Sequence, residues 1–194
     1  MKTLRVISLS LLLLSSVCGV HAQYYTFDQQ QQWIKKAESC KPKLFTTVHH
    51  PVQEVEIIAD SSAFQGYKAV KSGNIADLYQ KSFKAKKEVV LDFGEHLVGN
   101  VRFKIRTIQG MQDAIIRFKV TFGEVPSDLA LPIEPYTGSL SRGWLQDFIC
   151  NVGYDGTFTF NRRITARYMK IEGIGLNIDG DFCFDNITFE ATTS

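Results

Sequence analysis

The sequence predicts an all-β protein, an antiparallel β-sandwich with a short helical segment near its amino end. Apolar and polar residues alternate with a period of two from residue 88 onward, which is typical of strands buried on one face. Glycine, asparagine, aspartate and proline separate many short segments of this kind, and few segments show helical periodicity. Many short strands with one apolar face favour two packed sheets.

The amino terminus has the pattern of a secretory signal. Lys2 and Arg5 precede an apolar run at 9–14, and residues 20–22 read Val-His-Ala, which predicts cleavage before Gln23. The apolar run is too short to span a membrane. The sequence therefore predicts a signal peptide at 1–22, a single β-sandwich domain at 23–194, and a periplasmic or extracellular location.

Charge argues against a nucleic-acid partner. The chain has 22 basic and 20 acidic residues, and removal of Lys2 and Arg5 with the signal leaves 20 of each. Binding to nucleic acid depends largely on excess positive charge, which a neutral mature chain does not have.

The helical segment is predicted in "QYYTFDQQQQWIKKAESC", residues 23–40. Phe27, Gln31, Ile34 and Lys35 are spaced for a short helix that ends before Pro42.

Two segments alternate most clearly as strands. In "NVRFKIRTI", residues 100–108, the apolar side chains Val101, Phe103 and Ile105 point to one face. "AIIRFKVTF", residues 114–122, repeats the pattern, and the connector "QGMQD" predicts an antiparallel hairpin. Its outward face would carry a basic stripe, either solvated or a docking surface for an acidic polysaccharide or a second domain: Arg102, Lys104, Arg106, Arg117 and Lys119. Further strands are predicted at 55–59, 88–93, 145–151, 157–160, 166–172, 181–184 and 186–191.

The stretch at 123–144 has no periodic pattern and is the predicted ligand-binding region, because long irregular loops in compact domains are often functional. Tyr136, Arg142, Trp144 and Asp147 are the candidate carbohydrate-binding residues. A sugar face stacks on a flat aromatic ring, and polar neighbours bind its hydroxyls. The alternative is that Trp144 is a core residue at the start of a strand.

The segment "LDFGEHLVGN", residues 91–100, contains a candidate acid and base, Glu95 and His96. Neighbours on a strand point to opposite faces, so a shared substrate atom is unfavourable, and the alternative is a surface pair. Gly94 and Gly99 then allow tight backbone geometry at a strand end. Carboxylates that could form a pair for glycoside hydrolysis are present, but no spacing singles out two of them: Glu95, Glu124, Glu134, Asp147 and Asp155.

The cysteines of the exported chain are Cys40, Cys150 and Cys183. An exported protein can form disulfides, so one pair and one free thiol are expected. Cys150 with Cys183 is the preferred pair because both lie in strand-like segments. Their spacing does not match a zinc site.

Five segments, in order along the chain, resemble the amino-terminal β-sandwich region of family-78 α-L-rhamnosidase-like proteins. They are "SAFQGYKA" (62–69), "VVLDFGEHLVGNVRFKI" (89–105), "IRFKVTFGEVPSDL" (116–129), "YTGSLSRGWLQDFI" (136–149) and "RRITARYMKIE" (162–172). The resemblance implies a galactose-binding or jelly-roll type of sandwich. In that family it stands ahead of a helical barrel with the catalytic acids for inverting hydrolysis of terminal rhamnose.

The present sequence ends about where such a sandwich would end, so the resemblance transfers no catalytic residue. It implies an exported, non-catalytic carbohydrate-binding or accessory module, whose partners would be rhamnose-containing or other plant or microbial glycans and a separate catalytic glycosidase domain. The alternatives are a truncated or split α-L-rhamnosidase whose barrel is missing, and a structural, protein-interaction sandwich. No cofactor is predicted, and the resemblance leaves open a structural calcium ion near Asp179, Asp181 and Asp185, without assigned ligands.

Overall fold

The computed structural model describes residues 25–110, 115–138, 141–153, 155–175 and 181–193. The predicted signal at 1–22 lies outside these residues. The chain forms two compact units, Met1–Lys43 and Leu44–Ser194.

The described part of the first unit is centred on helix α1 (Phe27–Ser39), which confirms the predicted helical segment. Thr26 caps it in a reciprocal arrangement. Its hydroxyl accepts a hydrogen bond from the backbone N–H of Gln29 (3.3 Å), and the Gln29 side chain accepts one from the Thr26 N–H (3.1 Å). No residue of the helix is buried.

The second unit is an antiparallel β-sandwich, as predicted. Its described helices are α2 (Ile75–Gln80) and α3 (Ser127–Ala130). The strands are β1 (Phe45–His49), β2 (Gln53–Ala59), β3 (Tyr67–Gly73), β4 (Glu88–Gln109), β5 (Ile115–Gly123), β6 (Gln146–Gly153), β7 (Thr157–Thr159), β8 (Ile164–Gly175) and β9 (Asp181–Thr193). Strands β1 and β3 are additions to the predicted set.

Strand β4 belongs to both layers of the sandwich. Its first half pairs with β8 between Glu88 and Gly99, and with β2, in a layer ordered β3-β2-β4-β8-β5-β6. Its second half, from Gly99 to Gln109, pairs with β9 in a layer ordered β1-β9-β4-β7. The two layers meet in the core, where the Phe118 ring of β5 contacts the rings of Phe103 (5.7 Å) and Phe184 (5.9 Å) in the other layer.

The crossover between the layers lies within "LDFGEHLVGN". The prediction placed two strands here, at 88–93 and 100–108, but the chain forms a single strand whose register shifts between Asp92 and Leu97. Gly94 adopts a positive φ of 84°, which is unfavourable for any residue with a side chain. Such a bulge bends a strand and turns it from one sheet toward the next.

The predicted hairpin of 100–108 with 114–122 is wrong. Strand β5 pairs with β6 and β8, while the matching part of β4 pairs with β9 and β7. Residues 111–113 of the connector and residue 114 of the second predicted strand lie outside the described part of the chain. Alternation predicts which side chains are buried but does not identify the partner strand. The predicted burial is therefore confirmed, whereas the predicted strand pairing is wrong.

The predicted burial is confirmed along the described parts of both segments. Val101, Phe103, Ile105, Ile116 and Phe118 are fully buried. The predicted basic stripe is divided between the two layers because the hairpin does not form. On β4 its members bind acidic side chains of β9: Arg102 with Glu190 (2.6 Å), and Lys104 with Asp185 (3.0 Å).

The predicted disulfide is wrong. Cys150 and Cys183 are both buried and both are free thiols. They lie on β6 and β9, which are separated in the hydrogen-bonded order by β5, β8 and β4. Burial raises the pKa of the Cys150 thiol to about 12 and also raises that of Cys183, so neither readily forms the reactive thiolate. The third described cysteine, Cys40, is an exposed free thiol.

Candidate functional site

The end of β5 is held in a fixed conformation by Asp128. Its buried carboxylate accepts hydrogen bonds from the backbone N–H groups of Glu124 (2.9 Å) and Val125 (3.1 Å). Gly123 permits this approach, since a Cβ at that position would lie 2.9 Å from the Asp128 Cβ. The chain therefore leaves the sheet in one direction, and the Glu124 side chain lies at the surface.

A cavity of about 380 Å³ opens beside this turn. It is lined by Phe64, Gln65, Phe122, Gly123, Glu124, Val125, Asp128, Trp144, Leu145, Gln146 and Thr165. Two of these residues present large exposed rings, Trp144 (76% exposed) and Phe64 (70% exposed). Exposed aromatic rings beside polar side chains are typical of a site that binds an amphipathic ligand.

Trp144 belongs to a short 3-10 turn, Arg142–Trp144, and is not a core residue. Its backbone N–H donates to the carbonyl of Ser141 (3.0 Å), which closes the turn and directs the indole outward. The alternative that Trp144 starts a buried strand is therefore wrong.

The other candidate carbohydrate-binding residues lie outside the lining of this cavity. Arg142 binds Glu134 (Nε to Oε1, 2.7 Å) and approaches Asp147 (3.9 Å), so these side chains are engaged with one another. Tyr136 is half-buried. The structure brings Arg142, Trp144 and Asp147 into one region, and of the four candidates Trp144 alone lines the cavity.

Several lining residues were missing from the sequence prediction because they come from distant parts of the chain. Phe64 and Gln65 lie in a turn before β3, and the Ser127 hydroxyl donates to the Gln65 side chain, which ties that turn to α3. Gln146 begins β6 and accepts a hydrogen bond from the Thr165 N–H on β8 (3.4 Å). Only the fold brings these segments together, and no local pattern marks them.

Glu95 and His96 do not pair with each other. The Glu95 carboxylate lies 3.2 Å from Nδ1 of His49, and Nε2 of His96 lies 3.6 Å from the Glu124 carboxylate. The two neighbours thus contact different segments, β1 and the residue that follows β5, as expected for adjacent strand residues.

The His49 imidazole is also 2.8 Å from the Thr47 hydroxyl, so a hydroxyl, an imidazole and a carboxylate follow one another in space. Nucleophilic hydrolases use this order of groups. Here Glu95 is 65% exposed and Thr47 lies on the exposed strand β1, so water competes for each contact. We assign these contacts to the attachment of β1 to the crossover.

Each carboxylate considered for glycoside hydrolysis contacts a basic side chain or a backbone N–H group. Glu95 binds His49, Glu124 binds His96, Glu134 and Asp147 bind Arg142, and Asp155 accepts a hydrogen bond from the Thr107 N–H (2.8 Å). The geometry does not bring two of them together around one cavity as an acid and a base.

The most buried carboxylate among the described residues is that of Asp92, beside the crossover. It receives two hydrogen bonds from Arg167 (2.9 and 3.0 Å), one from the Gly94 N–H (2.8 Å) and one from Gln53 (3.1 Å). Burial favours a raised pKa of Asp92, but these hydrogen bonds and the Arg167 charge outweigh it and hold the pKa below its ordinary value. Asp92 is thus a structural anion that fixes the bulge.

Two further cavities differ in character from the aromatic one. The larger, about 400 Å³, has an apolar floor that includes Val55 and Val90 and is rimmed by charged groups such as Glu56 and Lys170. The other, about 320 Å³, lies at the contact of His49 with Glu95. No exposed aromatic ring lines either of them.

Among the described residues, no cluster of three or more histidine, cysteine or acidic side chains could hold a metal ion. Of the residues near the suggested calcium ion, Asp179 lies outside the described ranges, and Asp185 binds Lys104. None of the helices in the described part of the chain is long and apolar enough to cross a membrane.

Comparison with known proteins gives one family match and similar solved structures. The model of the glycosyl hydrolase family 78 alpha-rhamnosidase N-terminal domain matches residues 51–191. The chain is similar to a solved rhamnosidase from Klebsiella oxytoca with rhamnose bound, at 30% identity and a TM-score of 0.73, over 84% of this chain and 32% of that one. This chain therefore spans about a third of the length of that enzyme. A family-78 rhamnosidase of Bacillus sp. GL1 matches at 16% identity and a TM-score of 0.34, over 55% of this chain and 10% of that chain. No curated protein sequence matches the chain.

Proposed function

Because this chain belongs to the N-terminal domain family of the glycosyl hydrolase family 78 α-rhamnosidases, we propose that it is an exported, non-catalytic carbohydrate-binding or accessory module. The observation that carries the proposal is the pair of exposed rings, Trp144 and Phe64, on one cavity. Large exposed rings are costly to leave in water without a function, and in a cavity they suit a ligand with a flat apolar face.

A pyranose ring is complementary both to the aromatic rings and to the polar side chains of this cavity. Its C–H face packs on an aromatic ring, while its hydroxyl groups both donate and accept hydrogen bonds. Gln65, Glu124, Gln146 and Thr165 supply polar atoms around the two rings. Rhamnose adds a methyl group that increases the apolar surface available for packing, and the similar Klebsiella protein has rhamnose bound. Rhamnose-containing glycans are therefore the proposed ligands.

The arrangement of carboxylates supports a binding role over hydrolysis. Inverting glycosidases hold two carboxyl groups roughly 6.5–9.5 Å apart across the sugar, and retaining ones about 5 Å apart. In the described residues the candidate acids instead bind basic or backbone partners; Glu134 and Asp147 share Arg142, and neither of these two lines the aromatic cavity. We expect the purified chain to show no turnover of aryl rhamnosides.

A second candidate function is that of an accessory domain for a catalytic glycosidase domain, on the same or another polypeptide. The observation that favours it is the coverage of the structural match, since the chain corresponds to about a third (32%) of a rhamnosidase. In this case the module would position or stabilise a catalytic domain, and glycan retention by the isolated chain would be absent.

Binding is tested by affinity electrophoresis and a glycan array with the chain from Gln23 onward and with Trp144→Ala. We expect the substitution to weaken retention by rhamnose-containing glycans at least about tenfold, equivalent to about 1.4 kcal/mol, because it removes the stacking surface. The free energy of unfolding should change by less than about 1 kcal/mol, whereas truncation of a buried tryptophan costs about 3–5 kcal/mol.

Phe27→Ala is the matched control, because Phe27 is as exposed (72%) as Phe64 but does not line the cavity. It should leave retention unchanged. Retention that survives Trp144→Ala, or a large loss of stability in that variant, would exclude the cavity as the binding site. Absence of retention by every glycan would favour the accessory role.

A further inference from the structure

We propose that the aromatic cavity selects neutral glycans and discriminates against glycans that carry uronic acids or other anionic groups. The inference rests on the proposed binding function and specifies the class of ligand. It follows from the charges and hydrogen-bonding groups that line the cavity.

The charged residues among those lining the cavity are both acidic, Glu124 and Asp128. The Asp128 carboxylate is buried and accepts hydrogen bonds from two backbone N–H groups, so its oxygens are engaged within the turn. The Glu124 side chain is 59% exposed. It is therefore the carboxylate that a ligand in the cavity would meet.

Two basic side chains, one in contact with Glu124 and one in the turn of Trp144, already have acidic partners. His96 lies 3.6 Å from the Glu124 carboxylate, and Arg142, in the same turn as Trp144, binds Glu134 at 2.7 Å. Neither belongs to the lining of the cavity. An anionic ligand would thus approach Glu124 without a lining lysine, arginine or histidine to offset the repulsion.

The neutral polar side chains that line the cavity can form hydrogen bonds with the hydroxyl groups of a sugar. The Gln65 side-chain oxygen accepts from the Ser127 hydroxyl and that of Gln146 accepts from the Thr165 N–H, so each amide can still offer its NH₂ group as a donor. Glu124 supplies acceptor oxygens. Sugar hydroxyls can satisfy both kinds of group at once, whereas a ligand carboxylate can only accept and would leave Glu124 without a donor.

The size of the effect follows from Coulomb's law. Two unit charges about 5 Å apart repel with an energy that weakens binding about fourfold when the effective dielectric constant is near that of water, and by more in a sheltered cavity. The repulsion should weaken as salt is added, because the Debye length falls from about 30 Å at 0.01 M to about 10 Å at 0.1 M.

The test uses one oligosaccharide in two charge states, an alternating rhamnose and galacturonic acid oligomer and the same oligomer after chemical reduction of its carboxyl groups. Dissociation constants are measured by calorimetry at pH 8 and low ionic strength for the wild type, Glu124→Gln and Trp144→Ala. Glu56→Gln removes an equal charge from an exposed residue outside the cavity and controls for net charge.

We expect the reduced oligomer to bind the wild type at least about fourfold more tightly than the acidic one. Glu124→Gln should narrow the difference to within about twofold, and Glu56→Gln should leave it unchanged. Equal or tighter binding of the acidic oligomer, abolished by Trp144→Ala, would overturn the charge selection while the cavity remained a glycan site. Binding of neither oligomer, or binding indifferent to Trp144→Ala, would overturn the glycan-binding proposal and the charge selection with it.

Discussion

At the scale of single residues, Asp92 shows how a carboxylate in a segment that resembles an active site serves the backbone instead. Its two oxygens accept hydrogen bonds from Arg167, Gln53 and the Gly94 N–H. One of these hydrogen bonds comes from Gly94, the residue with a positive φ. The buried Asp92 carboxylate therefore stabilises the backbone conformation of the bulge. Glu95 and His96, which first suggest chemistry, lie further out and bind separate partners.

Replacement of Asp92 by asparagine should lower the free energy of unfolding at pH 7 by about 3 kcal/mol. This is the low end of the range for removing one member of a buried ion pair, because the Arg167 side chain is 39% exposed while that of Asp92 is only 2% exposed. Urea denaturation measures the difference. Asp77→Asn is the control: Asp77 is also ion-paired, with Lys81 at 3.0 Å, but at the surface, and its replacement should cost less than about 1 kcal/mol.

The cost of Asp92→Asn should also depend on pH. The folded protein lowers the pKa of Asp92 below the unfolded value of about 3.9, so its contribution is fully present above that value and is lost as the pH falls through the folded pKa. The difference between wild type and variant should shrink from pH 5 toward pH 2. A difference that is constant over this interval would show that the Asp92 charge does not stabilise the fold.

At the scale of elements, strand β4 is the feature that joins the two layers, and Gly99 lies where its pairing changes from β8 to β9. A Cβ at Gly99 would overlap the carbonyl oxygen of Glu190 and lie 2.7 Å from the carbonyl carbon. The absence of a side chain therefore allows the backbones of β4 and β9 to approach closely.

Gly99→Ala should destabilise the protein by about 3 kcal/mol or more, at the upper end of the range for overpacking, because rigid backbone atoms would have to move. Thermal and urea denaturation give the value. The control is Gly153→Ala on β6, where a Cβ would have no neighbour within 4 Å and the expected change is within about 0.5 kcal/mol. Equal effects of the two substitutions would show that the close approach at Gly99 does not constrain the fold.

Element pairing is also where prediction from sequence failed. Residues 100–108 and 114–122 were assigned correctly as strands, yet they lie in different layers and do not form a hairpin. Likewise, Cys150 and Cys183 are in strands as expected, but those strands are not neighbours. Strand partners depend on contacts between residues far apart in sequence, which local alternation does not encode.

At the scale of the whole molecule, the β-sandwich carries its own core, built largely from phenylalanine rings that meet between the layers. Phe83, Phe103, Phe118, Phe182 and Phe184 form a continuous set of ring contacts at 5.1–6.1 Å. The aromatic cavity lies at one end of this scaffold, where β5, β6 and the Phe64 turn converge. A rigid sandwich that presents a site on its loops fits the proposed binding role.

Export, which is part of the proposed function, is tested on the full chain. When it is expressed in a bacterial host, we expect the protein in the periplasm or the medium to begin at Gln23, as read by intact mass, because the peptidase cleaves after the small residue Ala22. Leu12→Arg should block export by interrupting the apolar run. Recovery of the uncleaved chain in the cytosol from the unmodified sequence would contradict export.

The sequence by itself determined the fold class, a helical segment within 23–40 and the buried side of the principal strands. It did so because the spacing of apolar side chains in strands and helices arises from the geometry of neighbouring residues. Only the tertiary structure decided that 88–109 is one strand shared by two layers, that Cys150 and Cys183 remain thiols, and that Trp144 is exposed beside Phe64 and Glu124. These features depend on which distant segments pack together, and the packing is set by the burial of the whole apolar core.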